Sequence, residues 1–303
     1  MRPRVTLQLP AAPCGHAHSA VFSLHGASVL LLGYGYVARA LAPVLVAAGA
    51  RVQFTTRRNS AALGDAALQF DTAAMRTAFA AADIVLSSVA PSKDGYDPAL
   101  VALENVQSRA AWIGYLSATS VYGDRDGQWA FEGEAPAPSL PRGTARADAE
   151  LSWLETHPAT QVFRLAGIYG PGRAPFERIR SDKARIIDAP NHVVNRIHID
   201  DIVTAIMASI AQPSPQDIFN IADGQPAAPG EVMAYAAQLI GCETPPTVAL
   251  NDPSVSAMAR SFYAETKRID ISRAKTRLEW EPRFSNYKLG LNAILSAELK
   301  AAV

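Results

Sequence analysis

Short apolar runs separated by helical stretches organise the first half of the chain. "SVLLL" (Ser28–Leu32) is apolar on both faces, the pattern of a strand buried in a parallel sheet. "RVQFTT", "ALQF", "DIVLSSVA", "WIGYLS" and "TQVFRLAG" repeat that texture at 51–56, 67–70, 83–90, 112–117 and 160–167. Between them the apolar positions take a helical period over 36–49, 72–81, 98–109 and 142–157. Strand and helix thus alternate from residue 28 to about 166, which predicts an α/β fold built on a Rossmann doubly wound parallel sheet.

Beyond residue 166 the pattern changes. "GIYGPGRAPF" is a Gly/Pro loop. Strands are expected over 192–199 and 217–222, and helices over 200–211, 229–241, 271–280 and 287–299. The expected division is a variable extension over 1–26, a doubly wound domain over 27–166, and a smaller mixed α/β domain over 167–303. Some segments of that last part are expected to rejoin the sheet.

With 303 residues, 49% of them apolar, the chain has ample material for a core. Its 28 basic and 28 acidic residues cancel, and the longest basic cluster is Arg57-Arg58. Neither a nucleic acid nor an anionic membrane surface is indicated as a partner, since both demand a clustered positive excess. A small-molecule substrate is expected, and the reading leaves room for a homodimer. Two cysteines, Cys14 and Cys242, stand without a CxxC or a neighbouring His, so no metal site is expected. No apolar run approaches the ~20 residues of a membrane span. Pro and His interrupt the first 22 residues, which reads against a secretory signal; an organelle-targeting peptide is the alternative, and a cytoplasmic protein is the expectation.

The clearest candidate chemistry is "LLGYGYVARAL". Gly33, Gly35 and Ala38 form a G-x-G-x-x-A that leaves a strand and opens a helix. The first Gly permits the tight turn, the second lets a pyrophosphate approach the backbone, and Ala38 allows close helix–strand packing. N–H groups near Tyr36 and Val37 are then free for phosphates. An NAD site places a carboxylate about 20 residues on, and that count reaches Thr55. Arg57 and Arg58 follow instead, and guanidinium donors suit a 2′-phosphate. NADP is therefore the expected cofactor, with NAD as the alternative. Ser88, Val89 and Ala90, which end the fourth run, are assigned to the same site.

With this fingerprint, "LSATSVYGD", "FRLAGIYGPGR" and "NRIHIDDIV" occurring in one order, the chain resembles an extended short-chain dehydrogenase/reductase. More narrowly, it resembles atypical members of the NAD-dependent epimerase/dehydratase group, and its tail "KRIDISRAKTRLEWEPRFSNYKLGL" is similar to theirs. The resemblance implies three catalytic groups: a Ser or Thr, a Tyr, and a Lys four residues after that Tyr. Aligned on Gly123 and Glu150, those positions hold Ala118, Arg142 and Arg146. Thr119 and Ser117 flank the first, so a one-residue slip restores a hydroxyl. No tyrosine occurs between residues 124 and 168. Arg142 keeps its proton under ordinary conditions and serves only to stabilise negative charge. Arg146 retains donors for a ribose or phosphate. Tyr122 and Tyr169 are expected near the mouth of the cleft, the former as a proton donor and the latter beside the cofactor.

His198 reads as a core histidine, and Asp200 and Asp201 as caps of the next helix. Val194 occupies a position where nucleotide-sugar enzymes of the group carry an Arg, although Arg173, Arg178, Arg180 and Arg185 offer substitutes. The expected function is an NAD(P)-binding oxidoreductase of altered mechanism. A non-catalytic NADP(H) sensor and a nucleotide-sugar epimerase or dehydratase are the alternatives.

Overall fold

A computed structural model describes residues 23–92 and 94–301, so the extension expected over 1–26 lies outside the described residues as far as residue 22. The first half runs β1 (Ser28–Leu32), α1 (Tyr36–Ala47), β2 (Arg51–Thr56), β3 (Ala67–Gln69), α2 (Ala73–Ala81), β4 (Ile84–Ser87), α3 (Pro98–Ala102) and β5 (Trp112–Ala118). It continues with β6 (Trp129–Ala130), α4 (Pro141–Thr156), β7 (Thr160–Leu165) and β8 (Gly167–Tyr169). Next come α5 (Phe176–Arg180), β9 (Ile186–Asp188), β10 (Arg196–His198), α6 (Ile199–Ala211), β11 (Ile218–Ile221) and α7 (Pro229–Leu239). The chain finishes with β12 (Thr247–Ala249), α8 (Ala257–Phe262), β13 (Arg268–Ile269), α9 (Ser272–Arg277) and α10 (Tyr287–Ala301).

Seven strands form one parallel sheet in the order β11-β7-β5-β4-β1-β2-β3. Because side chains alternate across a strand, β1 divides its residues between two cores. Val29 and Leu31 pack with Leu41 and Leu45 of α1 and with Ile202 and Ile206 of α6. Leu30 and Leu32 pack with Met75 and Phe79 of α2 and with Trp153 of α4. Helices therefore cover both faces, as the doubly wound reading requires. A third core gathers Tyr169, Phe176, Ile179, Val232, Leu291 and Ile294 from the chain after β7. β11 pairs with β7 and extends the main sheet, whereas β8–β10, β9–β12 and β6–β13 form two-stranded units.

Three elements are shorter than their local pattern. The helix expected over 98–109 stops at Ala102, and Asn105 takes a left-handed φ of 63° that a helix does not admit. The helix expected over 271–280 spans only Ser272–Arg277, with Glu279 at φ 48°. The strand expected over 192–199 reduces to Arg196–His198, because Val194 bridges instead to Ala227.

Arg164 is the charged residue of the buried strand β7, with 1% exposure. Its Nη2 donates to Glu150 Oε2 at 2.7 Å, Nε donates to both Glu150 oxygens at 3.1 and 3.2 Å, and Nη1 donates to Tyr122 Oη at 3.0 Å. Removing one member of a buried pair strands the other charge. Glu150→Ala is expected to lower unfolding stability by ~3–5 kcal/mol, read from the midpoint of urea denaturation. A loss below ~1 kcal/mol would show that water screens the guanidinium after all.

Candidate functional site

The C-terminal ends of β1, β2 and β4 surround a cavity of about 970 Å³. β1 lies where successive connections leave the sheet in opposite directions, the place where open α/β sheets take ligands. Gly33 turns the chain with φ 86°, and a Cβ there would meet Ser88 Oγ at 3.0 Å. Its N–H donates to Thr55 Oγ1 at 2.7 Å, while Ser88 Oγ donates to Leu32 O and Gly33 O, each at 3.2 Å. Three strand ends are thereby tied to one turn.

Gly35 is the N-cap of α1 and provides no side-chain cap. A Cβ added to Gly35 would meet nothing within 4 Å, so the bare backbone faces open space. The N–H groups of the first turn of α1 thus remain available for an anion. Ala38 is fully buried against the sheet. Val37 is buried as well, and neither it nor Tyr36 lines the cavity. Tyr36 turns away: its hydroxyl donates to Pro171 O at 2.8 Å, and the Arg173 guanidinium lies 4.2 Å from the ring centroid.

The wall formed by β2 and α1 carries Arg39, Arg57 and Arg58, and no Asp or Glu lines the cavity among the described residues. Arg57 and Arg58 are exposed. Arg39 donates from Nε to Tyr34 O at 3.1 Å, and Tyr34 stacks on Phe54 with centroids 3.7 Å apart. Ser88, Val89 and Ala90 line the wall at the end of β4.

A second cavity, of about 570 Å³, adjoins the end of β5. Ala118, Thr119 and Ser120 line one side, and His192, Asn195, Arg196, Tyr263, Glu265 and Lys267 contribute the polar groups opposite. Lys267 Nζ donates to Glu265 Oε2 at 2.7 Å, and Ser139 Oγ donates to Glu265 Oε1 at 2.5 Å. Burial holds the Lys267 ammonium below its ordinary pKa against the pull of Glu265, and burial likewise lowers His192. The His192 ring lies 4.7 Å from that of Tyr263.

The structure brings Gly33, Gly35, Arg57, Arg58, Ser88, Val89 and Ala90 together in the first cavity, and Thr119 and Arg142 in the second. Arg142 is already engaged. Its Nη1 and Nη2 donate to Ser261 Oγ at 2.7 Å and Ser261 O at 3.0 Å, and its guanidinium lies 4.7 Å from the Phe262 ring centroid.

The structure places four candidates away from the expected positions. Tyr122 is fully buried and donates to Asn220 Oδ1 at 2.7 Å, and burial pushes its pKa up to about 12. Tyr169 does not line the first cavity. It lines a separate cavity of about 300 Å³, packs under Gly290 of α10, and is shifted upward by burial. Ser117 and Arg146 line neither large cavity. Ser117 is buried, while Arg146 Nη1 donates to Leu116 O at 2.8 Å and Tyr115 Oη at 3.1 Å, bracing α4 on β5.

His198, a core residue packed 4.2 Å from Phe284, is itself the N-cap of α6, accepting from Asp200 N at 3.2 Å. Asp201 instead accepts from Arg283 N and Phe284 N at 2.8 and 3.0 Å, so it ties down the tail rather than capping the helix.

Arg39, His192, Tyr263, Glu265 and Lys267 escaped the sequence reading. Arg39 follows Gly35 by one helical turn, a usable signal. The others come from segments distant in sequence, which local pattern does not unite.

Comparison with known proteins places this geometry in context. No family model matches the chain. Protein YeeZ of Escherichia coli K12 is 36% identical over 135 residues, 43% of this chain and 47% of that protein. The match with these curated relatives thus spans about half of their length. A functionally unknown conserved protein from Silicibacter pomeroyi DSS is similar over 89% of this chain and 99% of its own, with 37% identity and a TM-score of 0.82. MoeE5 in complex with UDP-glucose and NAD aligns over 91% of this chain and 100% of its own, at 20% identity and a TM-score of 0.75. The UDP-glucose 4-epimerase of Thermotoga maritima aligns over the same shares at 19% and 0.72. At those last two identities the likeness is one of fold. Among the described residues, no helix is long and apolar enough to cross a membrane.

The buried phenol of Tyr122 gives a direct check on its structural role. Tyr122→Phe leaves Asn220 Oδ1 and one Arg164 N–H short of a partner, and is expected to lower stability by ~1–3 kcal/mol in denaturant titrations. An unchanged midpoint would return Tyr122 to the list of candidate acids.

Proposed function

We propose that this chain, which belongs to the family of the Silicibacter pomeroyi protein and has the extended short-chain dehydrogenase/reductase fold of the epimerase/dehydratase group, is an NADP(H)-binding oxidoreductase. The observation that carries the reading is the cavity at the glycine turn. It joins an uncapped helix N-terminus, an open Gly35 and three arginines, with no carboxylate in its lining. The donor set fits a dinucleotide: N–H groups of the α1 turn for the pyrophosphate, and Arg57 and Arg58, with Arg39 beside them, for a 2′-phosphate. When bound, the cofactor supplies hydride chemistry. The chain's own contribution is to hold it, with Ser88 to Ala90 walling the site at the end of β4.

MoeE5 is seen with NAD, whereas an NAD site ordinarily uses a carboxylate on the ribose. Here Thr55 occupies that place and accepts the Gly33 N–H. That substitution, with the arginines behind it, supports NADP over NAD.

On the family alignment Ala118, Arg142 and Arg146 replace the usual Ser/Thr, Tyr and Lys. Their contacts support that reading, since Arg142 fastens α8 and Arg146 braces β5. The loss of those groups also favours a second reading, a non-catalytic NADP(H) sensor. Nucleotide sugars, seen with MoeE5 and the Thermotoga maritima enzyme, are the less favoured substrate class because Val194 replaces the expected arginine. We place the substrate domain at 167–303 and the protein in the cytoplasm.

Calorimetry tests the cofactor assignment. NADPH is expected to bind more tightly than NADH. The double substitution Arg57→Ala/Arg58→Ala is expected to weaken NADPH by at least ~10-fold while moving NADH less than ~3-fold. Gly35→Asp places a carboxylate where phosphate would sit and is expected to abolish both. Tighter binding of NADH by the wild-type protein overturns the NADP assignment. Absence of either ligand overturns the reading as a whole.

A further inference from the structure

A recess of about 260 Å³ shares no lining residue with the three cavities described above. It forms where the chain leaving β11 meets β6 and the segment after β13. Asp223 enters it from the end of β11, Trp129 from β6, and Asp270, Ser272 and Ser285 from the tail.

Asp223 carries an atom that the fold leaves unserved. The residue is 3% exposed. Its N–H donates to Arg196 O at 2.7 Å, and its Oδ1 accepts from Gln225 N at 3.1 Å. Its Oδ2 is buried with no hydrogen-bond partner among the described residues. A buried carboxylate oxygen without a donor costs free energy that a ligand N–H can recover. Arg196 on β10 does not supply that donor: its Nη1 donates to Val194 O and Ala227 O at 2.9 and 3.1 Å. Its charge favours ionisation of Asp223, the charge of Asp201 on α6 opposes it, and the Tyr169 phenol on β8 faces the same carboxylate. Burial outweighs the cation and pushes the Asp223 pKa up to about 7.

The remaining lining suits a positive group. The Asp270 carboxylate is held by Ser272, whose N and Oγ donate to it at 2.9 and 3.0 Å. Lys275 and Glu281 pair at 3.3 Å and cancel each other. The uncompensated charge of the lining is thus that of Asp223 and Asp270. Trp129 is 44% exposed, and an indole attracts cations over its face. Among the described residues no three His, Cys, Asp or Glu side chains converge as a metal-ligand group. The carboxylates here are therefore arranged for an organic cation rather than a bare metal ion.

The geometry points to this recess as a binding site for an organic cation, an ammonium or guanidinium head on a short aliphatic stem. The head donates to Asp223 Oδ2 with Asp270 beside it, and the stem lies against Trp129. A charge-assisted N–H to a buried oxygen is the interaction the fold itself omits. The cation meets Asp223 in its ionised form, so binding releases the proton that burial retains, and affinity rises with pH. This site is independent of the NADP(H) reading.

Calorimetry with n-butylammonium and n-butylguanidinium chlorides tests the site, with 1-butanol as the uncharged reference of the same stem. At least one cation is expected to bind at pH 8 while 1-butanol does not. Affinity is expected to fall about tenfold between pH 8 and pH 6. Asp223→Asn keeps the acceptor for Gln225 N and removes the charge; it is expected to weaken the cation at least ~10-fold and to abolish the pH dependence. Trp129→Leu, at an exposed position that does not threaten folding, is expected to weaken it about threefold and to keep the pH dependence. The Nα-acetyl methylamides of lysine and arginine distinguish the source: binding as tight as the free cations indicates a side chain of another protein, and exclusion indicates a free amine, either result supporting the site. The proposal is overturned if neither cation binds more tightly than 1-butanol at pH 8. It is also overturned if affinity is the same at pH 6 and pH 8, or if Asp223→Asn or Trp129→Leu binds as the wild-type protein does.

Discussion

A single guanidinium, that of Arg164, decides how the end of the sheet is built. From the C-terminal end of β7 it reaches Glu150 on α4 and the hydroxyl of Tyr122, which follows β5. Tyr122 passes the connection to Asn220 on β11, and Asn220 Nδ2 donates to Asp270 O in the tail at 3.0 Å. Asn220 N also donates to Glu132 Oε1 at 2.9 Å. Helix α4, strands β7 and β11, the turn after β5 and the C-terminal segment thus share one polar network. Such a network adds little net stability over an apolar core but penalises any arrangement that leaves a member unpaired. It gives β11 a specific reason to pair with β7, and it ties the tail at Asp270 to the sheet.

The same network explains where local reading succeeds and fails. β1, β2 and β5 are legible because hydrophobic runs between helical stretches suffice to specify buried parallel strands. The glycine turn is legible because its geometry demands particular residues at fixed spacing. Tyr122 is not, since its partner Asn220 lies 98 residues away and nothing local distinguishes a phenol that gives protons from one that closes a network. Asp201 fails for the same reason. It stands where a helix cap is expected, yet its carboxylate is claimed by the backbone of residues 283 and 284.

Electrostatics follow a similar division between global and local. The chain has no formal net charge, which speaks against polyanionic surfaces as partners. Within the first cavity, though, three arginines face no lining carboxylate. Short-range charge inside a concave wall is screened less than scattered surface charge. A neutral protein can therefore still present a strongly cationic pocket, and composition alone cannot reveal it.

Arg142 shows how one guanidinium can set the course of a neighbouring segment. A permanently charged guanidinium is a poor substitute for a phenol in proton transfer. It is well suited to fastening, however, and here it holds Ser261 and Phe262, the residues immediately before Tyr263. Fixing the end of α8 against α4 sets the direction in which the chain leaves the helix, and so brings Tyr263, Glu265 and Lys267 onto the cavity wall. Arg142 is thus a positioning residue for the segment that walls the second cavity. The constraint is mechanical: side chains delivered by a short helix and a following loop need an anchor within a residue or two if they are to be held on one wall.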